Sequence, residues 1–266
     1  MDAKRIVIKV GTSTLTYENG KINYRRVDRL CKVIADLENS GKEIIFVSSG
    51  AVAVGVGKLG MKKRPTDIRK KQAAASVGQC ELMFMYDKFF GEYNTTVSQV
   101  LLTRPVMEDP HKKKNVINTF FTLIEMGIIP IVNENDTVAI DELEGNNFGD
   151  NDMLSALVAK VTQADLLVIL TDIDGLYDCN PKKNPQAKLI SYVPFIDDKL
   201  KEAAGDSVSN RGTGGMITKL AAAEIAVNAG IPTVVMNGSN PKKLYDLFDG
   251  KKAGTYFDAV KNSEGK

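Results

Sequence analysis

Six short β-rich runs alternate with longer helical patterns along these 266 residues, and that alternation leaves few folds open. The runs are Arg5–Val10, Glu43–Ser48, Thr96–Leu102, Ile128–Asn133, Leu166–Thr171 and Pro232–Met236. The helical patterns cover Tyr24–Asn39, Asp67–Glu92, Pro110–Glu125, Asp152–Gln163, Met216–Asn228 and Pro241–Phe248. Several runs are apolar throughout instead of alternating, as a strand covered on both faces requires. The pattern predicts an α/β three-layer sandwich with a central, mostly parallel sheet flanked by helices. A chain that is 43% hydrophobic can bury such a core. One body is expected over residues 1–257. The composition turns polar after Phe257, so a frayed tail is expected over 258–266.

The charge balance, 35 Lys and Arg against 33 Asp and Glu, argues against a nucleic-acid partner. The short cluster Lys112-Lys113-Lys114 reads as a solvated face. Cys31, Cys80 and Cys179 are widely spaced and lack C-x-x-C pairing, which fits a reducing compartment and no zinc site. Ile6–Ile8 is too short for a signal peptide, and Leu166–Leu170 falls far short of the ~20 residues of a membrane span. A cytoplasmic protein with no membrane partner is expected.

Open α/β sheets bind ligands beyond the carboxyl ends of their strands. Here those exits read Lys9-Val10-Gly11-Thr12-Ser13, Ser48-Ser49-Gly50-Ala51, Asn133-Glu134-Asn135-Asp136 and Thr171-Asp172, as one site built from several loops would. Gly212-Thr213-Gly214-Gly215 precedes a helix with Met216, Ile217, Thr218 and Lys219 in its opening turns. A glycine loop at a helix N-terminus is a ready anion site. Lys219 there opposes the macrodipole, which points to a strongly negative ligand. Lys9 interrupts an apolar strand, where an ammonium is costly unless an anion meets it. Gly11 with the Thr12 and Ser13 hydroxyls forms a second donor-rich loop. Two lysines, each beside a glycine loop, suit a phosphoryl group in transfer.

Gly149-Asp150-Asn151-Asp152 opens another helix with more polar side chains than an N-cap needs. A carboxylate there is able to hold the two lysines or to carry magnesium through water. Asn133–Asp136, otherwise a turn, offers carboxylates for an ammonium and amides for a carboxylate, as a zwitterionic ligand demands. No G-x-x-x-x-G-K-[ST] occurs. Gly55-Val56-Gly57-Lys58-Leu59-Gly60 matches G-x-G-x-x-G, but the insertion Ala51–Val54 separates it from its strand, against a dinucleotide site. The single histidine, His111, lies outside every motif. A carboxylate acceptor, ionised at pH 7 with a reference pKa near ~4, needs no general base.

The chain resembles the amino acid kinase family. Ile8–Ser13, Val47–Ala51, Gln99–Thr103, Val132–Asp136, Gly149–Asp152, Leu170–Asp172, Gly175–Tyr177, Asn184–Ala187 and Gly212–Lys219 carry the resemblance, in order and across nearly the whole length. It implies ATP-dependent phosphorylation of the γ-carboxylate of L-glutamate, the first step of proline biosynthesis. Lys9 and Lys219 are then the lysines on the transferring phosphoryl, organised by Asp152. Ser49, Gly50, Ala51, Asn133, Glu134, Asn135, Asp136, Asp150 and Asn151 form the glutamate pocket. Lys9, Gly11, Thr12, Ser13, Thr171, Asp172 and Thr213 through Lys219 form the nucleotide site. Magnesium, a homo-oligomer (dimer or tetramer) and feedback inhibition by proline are implied as well. Two departures stand out: the residues of the C-terminal RNA-binding-like domain of many members are missing, and the polar, acidic connection Ala139–Phe148 is longer than the family pattern. Other acceptors in the family are N-acetylglutamate, carbamate, aspartate and nucleoside monophosphates. Val47-Ser48-Ser49-Gly50 lacks the Gly-Gly pair usual in acetylglutamate kinases. A binding regulator without turnover is the reading from another class, opposed by the intact Lys9, Lys219 and Asp152.

Overall fold

The computed structural model describes residues 2–17, 19–139, 151–181, 184–205 and 215–260. Eight strands form one sheet: β1 (Arg5–Val10), β2 (Glu43–Val47), β3 (Val97–Leu102), β4 (Ile129–Glu134), β5 (Leu166–Thr171), β6 (Tyr192–Val193), β7 (Thr233–Asn237) and β8 (Thr255–Phe257). Their order is β3-β4-β2-β1-β5-β7-β8-β6. Every pairing is parallel except β7 with β8, so the mostly parallel sheet expected from the apolar runs is present. Strand ends move by one or two residues from the sequence reading, within ordinary fraying.

The helices described are α1 (Thr12–Leu15), α2 (Tyr24–Asn39), α3 (Ala51–Lys58), α4 (Ile68–Gly91), α5 (Arg104–Glu108), α6 (Pro110–Glu125), α7 (Asn151–Val161), α8 (Asp198–Gly205), α9 (Met216–Asn228) and α10 (Lys243–Phe248). Two apolar cores lie on opposite faces of the sheet. Ile6, Ile8 and Val10 of β1 pack with α2, α3, α4 and α10. Val7 faces the other way, with α7 and α9 residues such as Ala156, Ala159, Ala222, Ala223 and Ala226. Strand side chains alternate, so Lys9 belongs to the α7 and α9 face. β1 is central: Lys9 stands level with Val47 of β2 and Ile169 of β5.

Sequence reading missed α1, α3, α5, α8, β6 and β8. The case of α3 is instructive, because Ala51-Val52-Ala53-Val54-Gly55-Val56-Gly57-Lys58 combines glycines with β-branched residues that lower helix propensity. Packing overrides propensity here. A Cβ on Gly55 would sit 1.8 Å from the Ala74 carbonyl oxygen, and one on Gly78 would sit 1.8 Å from that of Ala51. Only two glycines let α3 and α4 approach so closely. The G-x-G-x-x-G match is therefore a helix contact with a C-terminal stop. Gly60, at φ 63°, closes a Schellman turn in which Met61 N–H donates to the Val56 carbonyl and Gly60 N–H to that of Gly57. The start of the expected tail is tied down, since Asp258 N–H donates to Val193 and Val260 N–H to Val227.

Gly78→Ala is expected to cost about 2–3 kcal/mol and lower the thermal midpoint by about 5–10 °C. Gly91→Ala, where an added Cβ meets nothing within 4 Å, is the control and leaves the midpoint unchanged or slightly raised. Paired thermal melts check both.

Candidate active site

The parallel register aligns the C-terminal ends of β1, β2, β4, β5 and β7 at one edge of the sheet. Lys9 approaches that edge from β1 and Lys219 from the start of α9. Both reach a carboxylate carried by the first turn of α7. Lys9 Nζ lies 2.5 Å from Asp152 Oδ1, and Lys219 Nζ lies 3.0 Å from Oδ2. The Thr218 hydroxyl lies 3.0 Å from the same Oδ2. Asp152 is fully buried and the two lysines are 5% and 7% exposed. Burial opposes the charge on Asp152, yet the two ammonium groups outweigh it and hold the carboxyl at about 2. Two ammonium groups thus share one carboxylate in a nearly dry position. A Cβ added to Gly11 would stand 3.7 Å from Lys9 Nζ, which places this glycine beside the ammonium.

On the β2 and β4 side lies a polar network. Asn151, which opens α7, donates from Nδ2 to Ser49 Oγ and to Asn133 Oδ1, each at 3.0 Å. Asn133 Nδ2 donates to Gln79 Oε1 at 2.8 Å, and Glu134 N–H donates to Asn133 Oδ1 at 2.9 Å. Asn151 Oδ1 is sealed from solvent with no donor partner among the described residues. Ser48 Oγ is 2.8 Å from the Tyr86 hydroxyl, and Tyr86 meets Phe46 edge-on, which pins the end of β2 to α4. Gly50, at φ 94°, turns the chain from β2 into α3, a conformation that suits glycine. Asn135 N–H donates to the Leu102 carbonyl just past β4, and the next residue, Asp136, is buried. Burial raises the Asp136 carboxyl to about 6, and the Arg64 charge pulls only partly against it.

Thr171 and Asp172 leave β5 on the opposite side of β1. Thr171 is buried and its carbonyl accepts from Gly238 N–H, while Asp172 is exposed. Gly11 caps α1, so Thr12 and Ser13 form a helical turn where the sequence suggested a loop; Arg26 secures it by donating to the Ser13 carbonyl. Met216 is buried in the core and Ile217 is 52% exposed. Asp150, Thr213, Gly214, Gly212, Gly149 and positions 140–148 of the acidic connection lie outside the described residues. Gln79, Arg64, Tyr86 and Arg26 escaped sequence reading, because each lies on a helix or loop without a motif. Among the described residues no three His, Cys, Asp or Glu side chains gather as a metal site, and no helix is long and apolar enough to cross a membrane.

Two cations held on one dry carboxylate lie at the strand ends of a parallel sheet beside a network of amides, an arrangement suited to a small anionic ligand. Residues 4–237 match the model of the amino acid kinase family, and the chain belongs to that family. It is 56% identical to glutamate 5-kinase of Clostridium perfringens, over 98% of this chain and 97% of that protein. Identity to glutamate 5-kinase of Listeria innocua is 53%, over 98% and 95%. Among solved structures, the UMP kinases of Bacillus anthracis (TM-score 0.66, 18% identity, 96% of each chain) and Ureaplasma parvum (TM-score 0.62, 18% identity, 97% of this chain and all of that one) share the fold.

The folded Asp136 carboxyl, at about 6, binds its proton more tightly than the ordinary 3.8. Ionising it therefore penalises the folded state: the penalty is absent below the ordinary value and complete above about 6. Asp136→Asn removes it. The variant should melt above the parent at pH 7–8, with the gap closing as pH falls toward ~4, as thermal unfolding across pH will check.

Proposed function

We infer that the chain transfers the γ-phosphoryl group of ATP to the γ-carboxylate of L-glutamate, giving L-glutamyl 5-phosphate at the first step of proline biosynthesis. The observation that carries the reading is Asp152 shared between Lys9 and Lys219, beside a pocket with groups for both ends of an amino acid. The nearly full-length identity to glutamate 5-kinases supports the acceptor. Asp136 adds a buried counter-charge for a free α-ammonium, which an N-acetylated acceptor would leave unused.

The acceptor enters from the β2 and β4 side, its α-amino acid end against Ser49, Asn133, Asp136 and Asn151. The nucleotide lies toward β5 and α9, with Thr171, Asp172 and the Gly215–Lys219 segment around it. Both lysines face the phosphoryl between them. The γ-carboxylate is ionised at neutral pH and attacks phosphorus in line, with ADP leaving, so no protein base is required. Catalysis then rests on positioning and on charge neutralisation by ammonium groups already held in place. Magnesium arrives with the triphosphate as MgATP. Asp152, with one lysine on each oxygen, orders those cations. The same reading includes a cytoplasmic homo-oligomer, dimer or tetramer, with proline as feedback inhibitor.

With MgATP, L-glutamate and hydroxylamine, the protein should form the γ-hydroxamate. Product from N-acetylglutamate, aspartate, carbamate or a nucleoside monophosphate, and none from L-glutamate, would overturn the acceptor. Lys219→Met should keep ATP binding within several-fold and lower kcat at least about a hundredfold, because the lysine counts most in the transition state. Unchanged turnover removes Lys219 from the chemistry.

A further inference from the structure

We propose that Gln79 is a positioning residue: through Asn133 and Asn151 it commits the Ser49 hydroxyl to donate its proton to the α-carboxylate of the acceptor. The inference rests on the acceptor reading above and adds a residue from outside the strand exits. Its fixed point is a backbone group. Glu134 N–H can only donate, so the Asn133 atom it meets at 2.9 Å is the carbonyl oxygen. That settles which way the Asn133 amide faces. Its Nδ2 then points at Gln79, 2.8 Å away, which must answer with Oε1.

The same Asn133 oxygen receives Asn151 Nδ2 at 3.0 Å, and the second N–H of that amide reaches Ser49 Oγ at 3.0 Å. Each step follows from the one before, because an amide has one donor end and one acceptor end. At the end of the chain Ser49 Oγ is an acceptor toward the protein. Among the described residues its single proton meets no acceptor, which leaves it for another partner. Ser49 sits where β2 gives way to α3, beside the glycine turn at Gly50. A hydroxyl of that polarity suits a carboxylate, and the buried Asp136 just past β4 suits the ammonium.

Gln79 lies on α4, separated in sequence from the residues it aligns. Without its oxygen, Asn133 keeps a buried N–H with no acceptor. Turning the amide over is no remedy, because it sets Nδ2 against Glu134 N–H and Asn151 Nδ2, donor against donor. Either way the Asn151 amide loses its support and the Ser49 proton its direction. The γ-carboxylate and the two lysines are not part of this chain of bonds, so the effect belongs to acceptor binding.

The test is steady-state kinetics in the hydroxamate assay with Gln79→Leu, Gln79→Glu, Ser49→Ala and the double variant Gln79→Leu with Ser49→Ala. Gln79→Leu should raise KM for L-glutamate about tenfold, roughly the weight of one buried neutral hydrogen bond, with kcat and KM for ATP nearly unchanged. Gln79→Glu retains the acceptor oxygen and should restore the parent KM to within about threefold. The double variant should match Ser49→Ala alone, since both act on one hydroxyl. Unchanged KM in Gln79→Leu, failure of Gln79→Glu to rescue, a uniform loss of kcat, or effects that multiply in the double variant would each overturn the relay. If the parent makes no hydroxamate from L-glutamate, the acceptor reading fails and the relay falls with it. If the parent does and the variants disagree, the relay alone falls.

Discussion

Everything at the active end of this molecule is organised around one carboxylate. Asp152 is fully buried, a position where an isolated charge would neutralise. It stays ionised because Lys9 and Lys219 reach it from two other elements. The reverse dependence is as strong: two ammonium groups at 5% and 7% exposure would be untenable side by side without it. The result is a preformed positive centre whose groups need little rearrangement when an anion arrives. Such preorganisation is what makes fixed charges effective in a site that excludes water.

Sheet topology turns that centre into a divide. β1 carries Lys9 and lies between β2 and β5. The exits of β2 and β4 carry Ser49, Asn133 and Asp136, while those of β5 and β7 carry Thr171, Asp172 and Gly238. In the proposed reaction two ligands entering from opposite sides of β1 meet over Lys9, as an in-line transfer requires. Strand order thereby sets the direction of the reaction axis, and side chains at the exits only refine it. Helices α7 and α9 reach the divide because alanines on both let them pack closely on the face that Lys9 shares.

Much of this was legible in the residues, for physical reasons that also mark the limit. Apolar runs such as Leu166–Leu170 announce strands buried on both faces, and a lysine among Ile8 and Val10 announces a charge with an anionic appointment. Neither signal depends on distant residues. The helix Ala51–Lys58 was illegible because Gly78, far along the chain, makes it possible. Gln79 gave no signal because its role comes from which atom of Asn133 the Glu134 backbone claims. The raised carboxyl of Asp136 is likewise a property of burial, which no local pattern encodes. The antiparallel β8 is three residues long, too short for alternation to register.

The likeness to two UMP kinases at 18% identity bears on where specificity resides. A fold shared at that distance fixes architecture and leaves the ligand open. On the proposed reading the acceptor meets a few polar groups at the β2 and β4 exits, whereas the paired lysines stand on β1 and α9. The two parts touch at α7, where Asn151 joins the pocket and its neighbour Asp152 joins the lysines. Adjacent positions on one helical turn thus tie acceptor recognition to the phosphoryl centre, and the register of that turn sets the distance between them.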